Sequence, residues 1–187
     1  MNGADQPVFF YDLGSPTCYL VAEAVSSVLP TVPEWEPVAA AELTGADPGL
    51  EYVGRVEAHA RELGLQPLRW PPNWPTNTSL SMLAATYAKR VGRGVAFSLA
   101  AFRQAFAGGR DLADMDTVLI AAAACEMHPA ALLKGIELRS VADALQDATA
   151  RAQRVGVRSL PAVLIEGRVY GGDELIDRAR RTVSGRT

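Results

Sequence analysis

The sequence predicts an α/β fold interrupted by a large block of helices. Three observations carry this reading. A short aromatic run at residues 8–11 is followed by a helix and a second extended run. An Ala-rich stretch from about residue 44 to 150 is nearly free of β-branched runs. Strand character then returns at residues 161–170, ahead of a closing helix. The order is βαβ, a helical block, then α-ββα. We therefore expect residues 1–43 and 151–187 to form one α/β domain and residues 44–150 to be a helical domain inserted into it.

The elements follow in chain order. Val8-Phe9-Phe10-Tyr11 is short, apolar and β-prone, as a buried strand should be. Asp12-Leu13-Gly14 breaks it. Ser15 is a natural helix N-cap, and Pro16 suits the first helical position, where its missing N–H costs nothing. This helix is expected to run from Pro16 to Leu29 and to stop at Pro30. Residues 34–40 read as a second strand, with Pro37 pointing to a sheet edge.

Residues 49–63 suit a helix ending at Gly64. A rigid loop with three prolines, Trp70 to Thr78, comes next. From Ser79 the residues Leu80, Leu83, Ala84, Tyr87, Ala88 and Val91 share one helical face, and Gly92 ends the pattern. Val95, Leu99, Phe102 and Phe106 form the next stripe, closed by Gly108-Gly109. Asp116 is expected to cap a helix reaching Cys125. His128-Pro129 opens a short helix, and residues 140–155 form the last of the group. Pro161–Ile165 reads as a strand and Glu166-Gly167 as a turn. Arg168–Tyr170 is the returning strand, and a final helix spans about Glu174 to Val183, with Asp173 as its cap.

Composition narrows the function classes. The chain has 187 residues, 49% hydrophobic and 21% charged, which is ordinary for a folded domain. A chain of this length buries roughly 70% of its unfolded surface and needs no disulfide scaffold. The formal net charge is -3 and no basic patch stands out, so no nucleic-acid partner is expected. No run of 18 apolar residues exists, and the start MNGADQPVFFYD has neither a basic nor an apolar leader segment. We expect a cytoplasmic protein with no membrane partner and with Cys18 and Cys125 as free thiols. Only two His are present, so no metal site is expected.

Three motifs carry a resemblance. The first is Phe10-Tyr11-Asp12-Leu13-Gly14-Ser15-Pro16-Thr17-Cys18. The second is Trp74-Pro75-Thr76-Asn77-Thr78. The third is the ending Gly156-Val157 through Pro161, with Gly171-Gly172-Asp173 beyond it. Their order and spacing resemble a thioredoxin-like fold with a large all-helical insertion, of the DsbA-like branch. Within that branch the chain is most similar to the 2-hydroxychromene-2-carboxylate isomerases and the kappa-class glutathione transferases. The opening matches an FYDxxSPxS pattern except at its last position, where Cys18 stands.

The resemblance implies the chemistry of the site. Ser15 occupies the place of the nucleophilic thiol of a disulfide oxidoreductase, and a hydroxyl cannot exchange disulfides. It can donate to the thiolate of a bound cosubstrate, glutathione or another low-molecular-weight thiol, aided by the positive end of the helix. Ser15 reads equally as a cap and no more. Leu160-Pro161 would be a cis peptide whose preceding residue pairs with a cysteinyl peptide through its backbone, or else an ordinary trans proline at a strand start. Gly172 and Asp173 would hold the γ-glutamyl end, although Asp173 also reads as a cap. Asn77 is either a cap or a substrate contact.

The family's Lys beside the Pro-rich loop has no counterpart here, and Arg69 is the nearest cation in sequence. Trp70 and Trp74 either line a pocket for an aromatic substrate or pack the loop. Asp12 either moves protons or caps local amides. Cys18 is either a small core residue or the reactive group of a monothiol site.

The expected activity is a thiol-dependent isomerase or transferase acting on a small aromatic or unsaturated electrophile. Two rival readings remain open. One is a DsbA-like monothiol disulfide oxidoreductase or redox sensor using Cys18. The other is a non-catalytic peptide-binding module. Homodimerisation is a tendency the resemblance implies.

Overall fold

The computed structural model describes residues 6–29, 31–39 and 50–184. The stop at Pro30, residue 40 of the second strand, residue 49 of the next helix and the boundary between residues 43 and 44 lie outside the described residues.

The chain begins with strand β1 (Val8–Tyr11), helix α1 (Pro16–Val28) and strand β2 (Glu34–Pro37). Helices α2 (Leu50–Glu62), α3 (Ser79–Arg90) and α4 (Gly94–Phe102) follow, with α4 running into a π-helical turn at Arg103–Ala107. Helices α5 (Met115–Ala123), α6 (Pro129–Ile136) and α7 (Arg139–Arg154) come next. Strands β3 (Ala162–Ile165) and β4 (Arg168–Gly171) and helix α8 (Gly172–Ser184) close the chain.

The four strands form one sheet in the order β2-β1-β3-β4. β1 and β2 are parallel, as a strand–helix–strand crossover requires, while β1–β3 and β3–β4 are antiparallel. Pro37 sits on an edge strand, where its missing donor is harmless. β3 and β4 are joined by Glu166 and Gly167, with φ of 48° and 79°. Positive φ at both central residues is the signature of a tight hairpin turn that matches strand twist.

Alternation along β1 assigns its residues to two layers. Phe9 and Tyr11 join a large core with α1, α8 and the helical block, through Leu20, Val25, Leu175, Phe97 and Phe102. Phe10 faces the other way and packs with Val38, Ala148, Ala152 and Ala162, so α7 covers that face. The helical block is tied to the sheet by polar contacts as well. The Tyr11 hydroxyl and Ser98 Oγ lie 2.6 Å apart, both buried. Lys89 of α3 donates to Glu34 at 2.6 Å and to Glu36 at 2.7 Å, and Arg151 of α7 also pairs with Glu36. The Glu36 carboxylate is buried, so these partners offset its desolvation.

Four expectations need correction. Leu80, and Val91 just past α3, belong to the expected apolar face yet are exposed, while Ser81, Met82, Ala85 and Thr86 are buried. The α5 cap is Asp114, whose carboxylate accepts from the Asp116 amide at 3.0 Å, and the helix ends at Ala123, short of Cys125. Helix α8 starts at Gly172, two residues before Glu174, because β4 runs into it without a loop. Asp173 therefore lies inside the first turn instead of capping it. β2 ends at Pro37, after which the Val38 amide still donates to the Tyr11 carbonyl at 3.0 Å.

Candidate functional site

Ser15 ends the β1–α1 turn. Its Oγ accepts from the Cys18 amide at 3.2 Å, and its carbonyl accepts from the Tyr19 amide at 3.1 Å. Pro16 at the first helical position has no N–H to satisfy, and the helix presents its positive end there. Ser15 Oγ also shares a hydrogen bond with Thr17 Oγ1 at 3.0 Å, and Thr17 Oγ1 with the Tyr52 hydroxyl at 3.3 Å. Burial, the largest influence on Tyr52, raises its phenol above the ordinary value, so the phenol remains a hydrogen-bond donor.

A second network holds this turn to the Pro-rich loop. Asp12 Oδ1 accepts from the Gly14 amide at 2.8 Å and from Thr78 Oγ1 at 3.0 Å. The Trp74 indole donates to the Gly14 carbonyl at 3.1 Å. Gly14 is needed for this approach, because a Cβ there would lie 2.7 Å from Thr78 Cγ2. Both the Trp74–Pro75 and Leu160–Pro161 peptide bonds are cis. Pro161 lies against Gly172, where a Cβ would come within 3.0 Å of the proline ring.

These segments enclose an open cleft of about 1290 Å³. Ser15, Leu160, Pro161, Gly172, Asp173 and Asn77 all line it, so six predicted site residues from four distant stretches meet at one place. Tyr52, Arg55, Trp74, Leu83, Leu145 and Arg158 complete its walls. The volume is above the roughly 300–1,000 Å³ typical of a small-molecule pocket. Thr76 lines the cleft too, and its buried hydroxyl has no hydrogen-bond partner among the described residues.

The remaining predicted residues fall as follows. Cys18 does not line the cleft. It is fully buried one turn into α1, and burial, ahead of all other influences, pushes its thiol up to about 12. Asp12 does line the cleft and also caps local donors. Asn77 Oδ1 accepts from the Ser79 amide at 3.0 Å and from Ser79 Oγ at 2.7 Å, so it ties down the start of α3. Trp74 faces the cleft, whereas Trp70 packs edge-on against it at 4.7 Å and donates to Glu57 at 2.8 Å. Arg69 is off the cleft. Among the described residues the cations that line the cleft are Arg55 and Arg158.

Tyr52, Arg55 and Arg158 had no role assigned from sequence. Tyr52 and Arg55 sit one turn apart on α2, a spacing that pairs them on one face, but nothing local places that face over Ser15. Arg158 stands three residues before Pro161, so proximity to that proline was the available signal.

Residues 8–183 match the family of DSBA-like thioredoxin domains. By sequence the chain matches no curated protein. Its fold is similar to that of a 2-hydroxychromene-2-carboxylate isomerase, with a TM-score of 0.81 at 15% identity over 96% of this chain and 94% of that one. It is also similar to a probable DsbA oxidoreductase from Streptomyces coelicolor, with a TM-score of 0.72 at 15% identity over 97% and 91%. A third similar structure is the cytosolic disulfide reductase DsbM from Pseudomonas aeruginosa with GSH, with a TM-score of 0.67 at 16% identity over 97% and 98%. The same fold thus serves an isomerase and disulfide oxidoreductases.

Proposed function

The chain belongs to the DsbA-like thioredoxin family, and within it we propose a thiol-dependent isomerase or transferase acting on a small aromatic or unsaturated electrophile. One observation carries the reading: the first residue of the turn is Ser15, which lines the cleft, while the nearby thiol of Cys18 is buried and neutral. A site built this way has a hydrogen-bond donor and a helix terminus for an anion but, among the described residues, no thiol lining it. The nucleophile must then arrive with a cosubstrate, for which we propose glutathione or a similar thiol. The glutathione named with the DsbM structure supports the choice of cosubstrate.

The chemistry follows from the parts. The cosubstrate thiol loses its proton to solvent, and the thiolate is held by the Ser15 hydroxyl and the start of α1. A hydrogen bond to a charged group contributes roughly 1.5–3 kcal/mol, enough to lower a thiol's pKa by about one to two units. The thiolate sulfur adds to an electrophilic carbon of a conjugated substrate, forming a C–S bond while the C=C electron pair moves onto the neighbouring carbonyl oxygen. The former double bond is then single and rotates. Collapse of the enolate restores the double bond, breaks the C–S bond and returns the thiolate, which completes an isomerisation. If the adduct is instead protonated on carbon and leaves, the result is transfer. Leu160 and the Gly172–Asp173 turn would hold the thiol's peptide backbone and α-amino acid end. Asn77 would contact one of the two reactants, and Trp74 with Leu83 would face the aromatic one.

Calorimetric titration with reduced glutathione, repeated on Ser15→Ala, tests this. Saturable binding that weakens in the variant, most at pH values where the wild type ionises the thiol, is the expected result. Turnover of a hydroxychromene-type or halogenated aromatic substrate would then separate isomerase from transferase. Absence of binding at millimolar glutathione, together with rapid alkylation of Cys18 in the folded protein, would overturn the reading in favour of a Cys18 redox site.

A further inference from the structure

We propose that Thr17 and Tyr52 are positioning residues that aim the Ser15 hydroxyl proton into the cleft, through the chain Tyr52 hydroxyl–Thr17 Oγ1–Ser15 Oγ. The inference rests on the thiol-activating role of Ser15 argued above. It adds a reason why that hydroxyl acts as a donor and not only as a cap.

Ser15 Oγ faces a conflict of roles. As the helix cap it must accept from the Cys18 amide, which occupies one lone pair at 3.2 Å. Its single proton then has two places to go, inward to Thr17 Oγ1 at 3.0 Å or outward to an anion in the cleft. If the proton points inward, a thiolate at Ser15 meets only lone pairs and is repelled. The direction of the Ser15–Thr17 bond therefore decides whether the site stabilises a thiolate.

Tyr52 sets that direction. Either oxygen could donate across the 3.3 Å contact between Tyr52 and Thr17; because a phenol is a stronger acid and a stronger donor than an aliphatic hydroxyl, the proposed direction is Tyr52 donating and Thr17 accepting. With its oxygen engaged, Thr17 donates onward to Ser15, whose second lone pair is filled and whose proton is left to the cleft. The guanidinium of Arg55 lies 5.6 Å over the Tyr52 ring, which draws electron density from it and strengthens the phenol as a donor. The ring itself is held by parallel stacking on Trp74, with centroids 6.1 Å apart and planes 2° from parallel. Hydrogen bonds in such a chain polarise one another, so the final Ser15 donor is strengthened beyond its isolated value. All three residues line the same cleft and come from α2 and the start of α1.

The test measures the pKa of protein-bound glutathione by its thiolate absorbance in four proteins: wild type, Ser15→Ala, Tyr52→Phe and Thr17→Val. Tyr52→Phe keeps the ring that stacks on Trp74, so a fold defect is not expected. Thr17→Val preserves shape and serves as the independent second variant. The expected result is a bound thiol in Tyr52→Phe and Thr17→Val that is less acidic than in wild type by about half to one pH unit, with Ser15→Ala shifted by at least as much. Glutathione affinity at low pH, where the thiol is protonated in every variant, should change less than twofold.

If Ser15→Ala raises the thiol pKa while Tyr52→Phe and Thr17→Val do not, the relay is wrong and the role of Ser15 stands. If wild type binds glutathione without making its thiol more acidic than in free solution, or does not bind it, the thiol-activation reading falls and the relay with it. Loss of affinity at low pH without a pKa shift would show that Tyr52 shapes the wall only, which also overturns the relay.

Discussion

The Cys18 amide donates to Ser15 Oγ across 3.2 Å, so the cap of α1 is the side chain of a residue that lines the cleft. Stability and the proposed chemistry are therefore coupled at this residue, and two substitutions separate them. Ser15→Ala removes cap and donor together and should cost about 1 kcal/mol of stability in urea unfolding. Ser15→Gly restores most of the cap's value and should cost only a few tenths of a kcal/mol. Both variants should lose the acidic bound thiol to the same degree. A Ser15→Gly protein that still ionises bound glutathione would show that the helix terminus alone suffices.

Cys18 should be inert in the folded protein. Its thiol is fully buried and pushed from the ordinary 9.0 to about 12, so alkylation at neutral pH should proceed only as fast as the fold opens. The same burial makes stability depend on alkaline pH. Below 9 the thiol is protonated in both states and contributes no slope. Between 9.0 and about 12 the unfolded chain releases the proton while the fold retains it, so stability falls as pH rises, by up to about 1.4 kcal/mol per pH unit. Tyr11, whose phenol is raised mainly by burial, adds a loss of the same sign above its ordinary 10.0. Cys18→Ala should flatten the part of the profile that begins at pH 9. Unfolding midpoints measured across the alkaline range check this, and an unchanged profile would refute it.

Gly14 should tolerate a methyl group only if Thr78 gives one up. A Cβ at residue 14 would lie 2.7 Å from Thr78 Cγ2, and Thr78 cannot swing away without losing its 3.0 Å bond to Asp12. Gly14→Ala should therefore destabilise the protein by about 1–3 kcal/mol. Thr78→Ser removes the methyl and keeps the hydroxyl, so the double variant should recover most of that loss. Additive destabilisation in the double-mutant cycle would mean that the contact is not the cause.

What could be read from sequence was local. Ser15-Pro16 as cap and first helical residue, Pro37 on an edge strand and Glu166-Gly167 as a hairpin turn each follow from the backbone preferences of a few neighbouring residues. The Glu166-Gly167 hairpin brings Leu160-Pro161 beside Gly172-Asp173, but no local rule joins that pair to Ser15 and Asn77, whose meeting with it is what the family resemblance implies. Where local signals compete, tertiary context decides. Asp114 and Asp116 are both good caps, and Asp114 holds the place by accepting from Asp116 itself. Asp173 has the side chain of a cap, but a cap needs a loop before α8, and β4 leads into that helix directly. Tyr52 and Arg55 were missed for a different reason. Their role depends on how α2 lies across the start of α1, and that is decided by packing among Tyr52, Trp74, Trp70 and Phe106 instead of by any pattern within residues 50–62.

The two cations of the cleft should differ in what they do. Arg158 stands near the Leu160–Pro161 turn, and its side chain is exposed, with a long 3.4 Å contact to the Gln153 carbonyl. It is placed to attract a carboxylate of an anionic thiol without touching the Ser15–Thr17–Tyr52 chain. An exposed charge contributes about 0.2–1 kcal/mol, so Arg158→Gln should weaken glutathione binding by no more than about fivefold. The loss should appear in KM more than in kcat and shrink as salt is raised, since screening removes what the charge supplied. Arg55 lies 5.6 Å over the Tyr52 ring, so Arg55→Gln should weaken binding by a similar factor and in addition make the bound thiol less acidic. Measuring affinity and thiol pKa for both variants at low and high salt resolves the two roles. Equal pKa shifts in the two variants would mean that both act as bulk charge on the thiolate, and a salt-independent loss in Arg158→Gln would mean that its side chain packs against the ligand instead of attracting it.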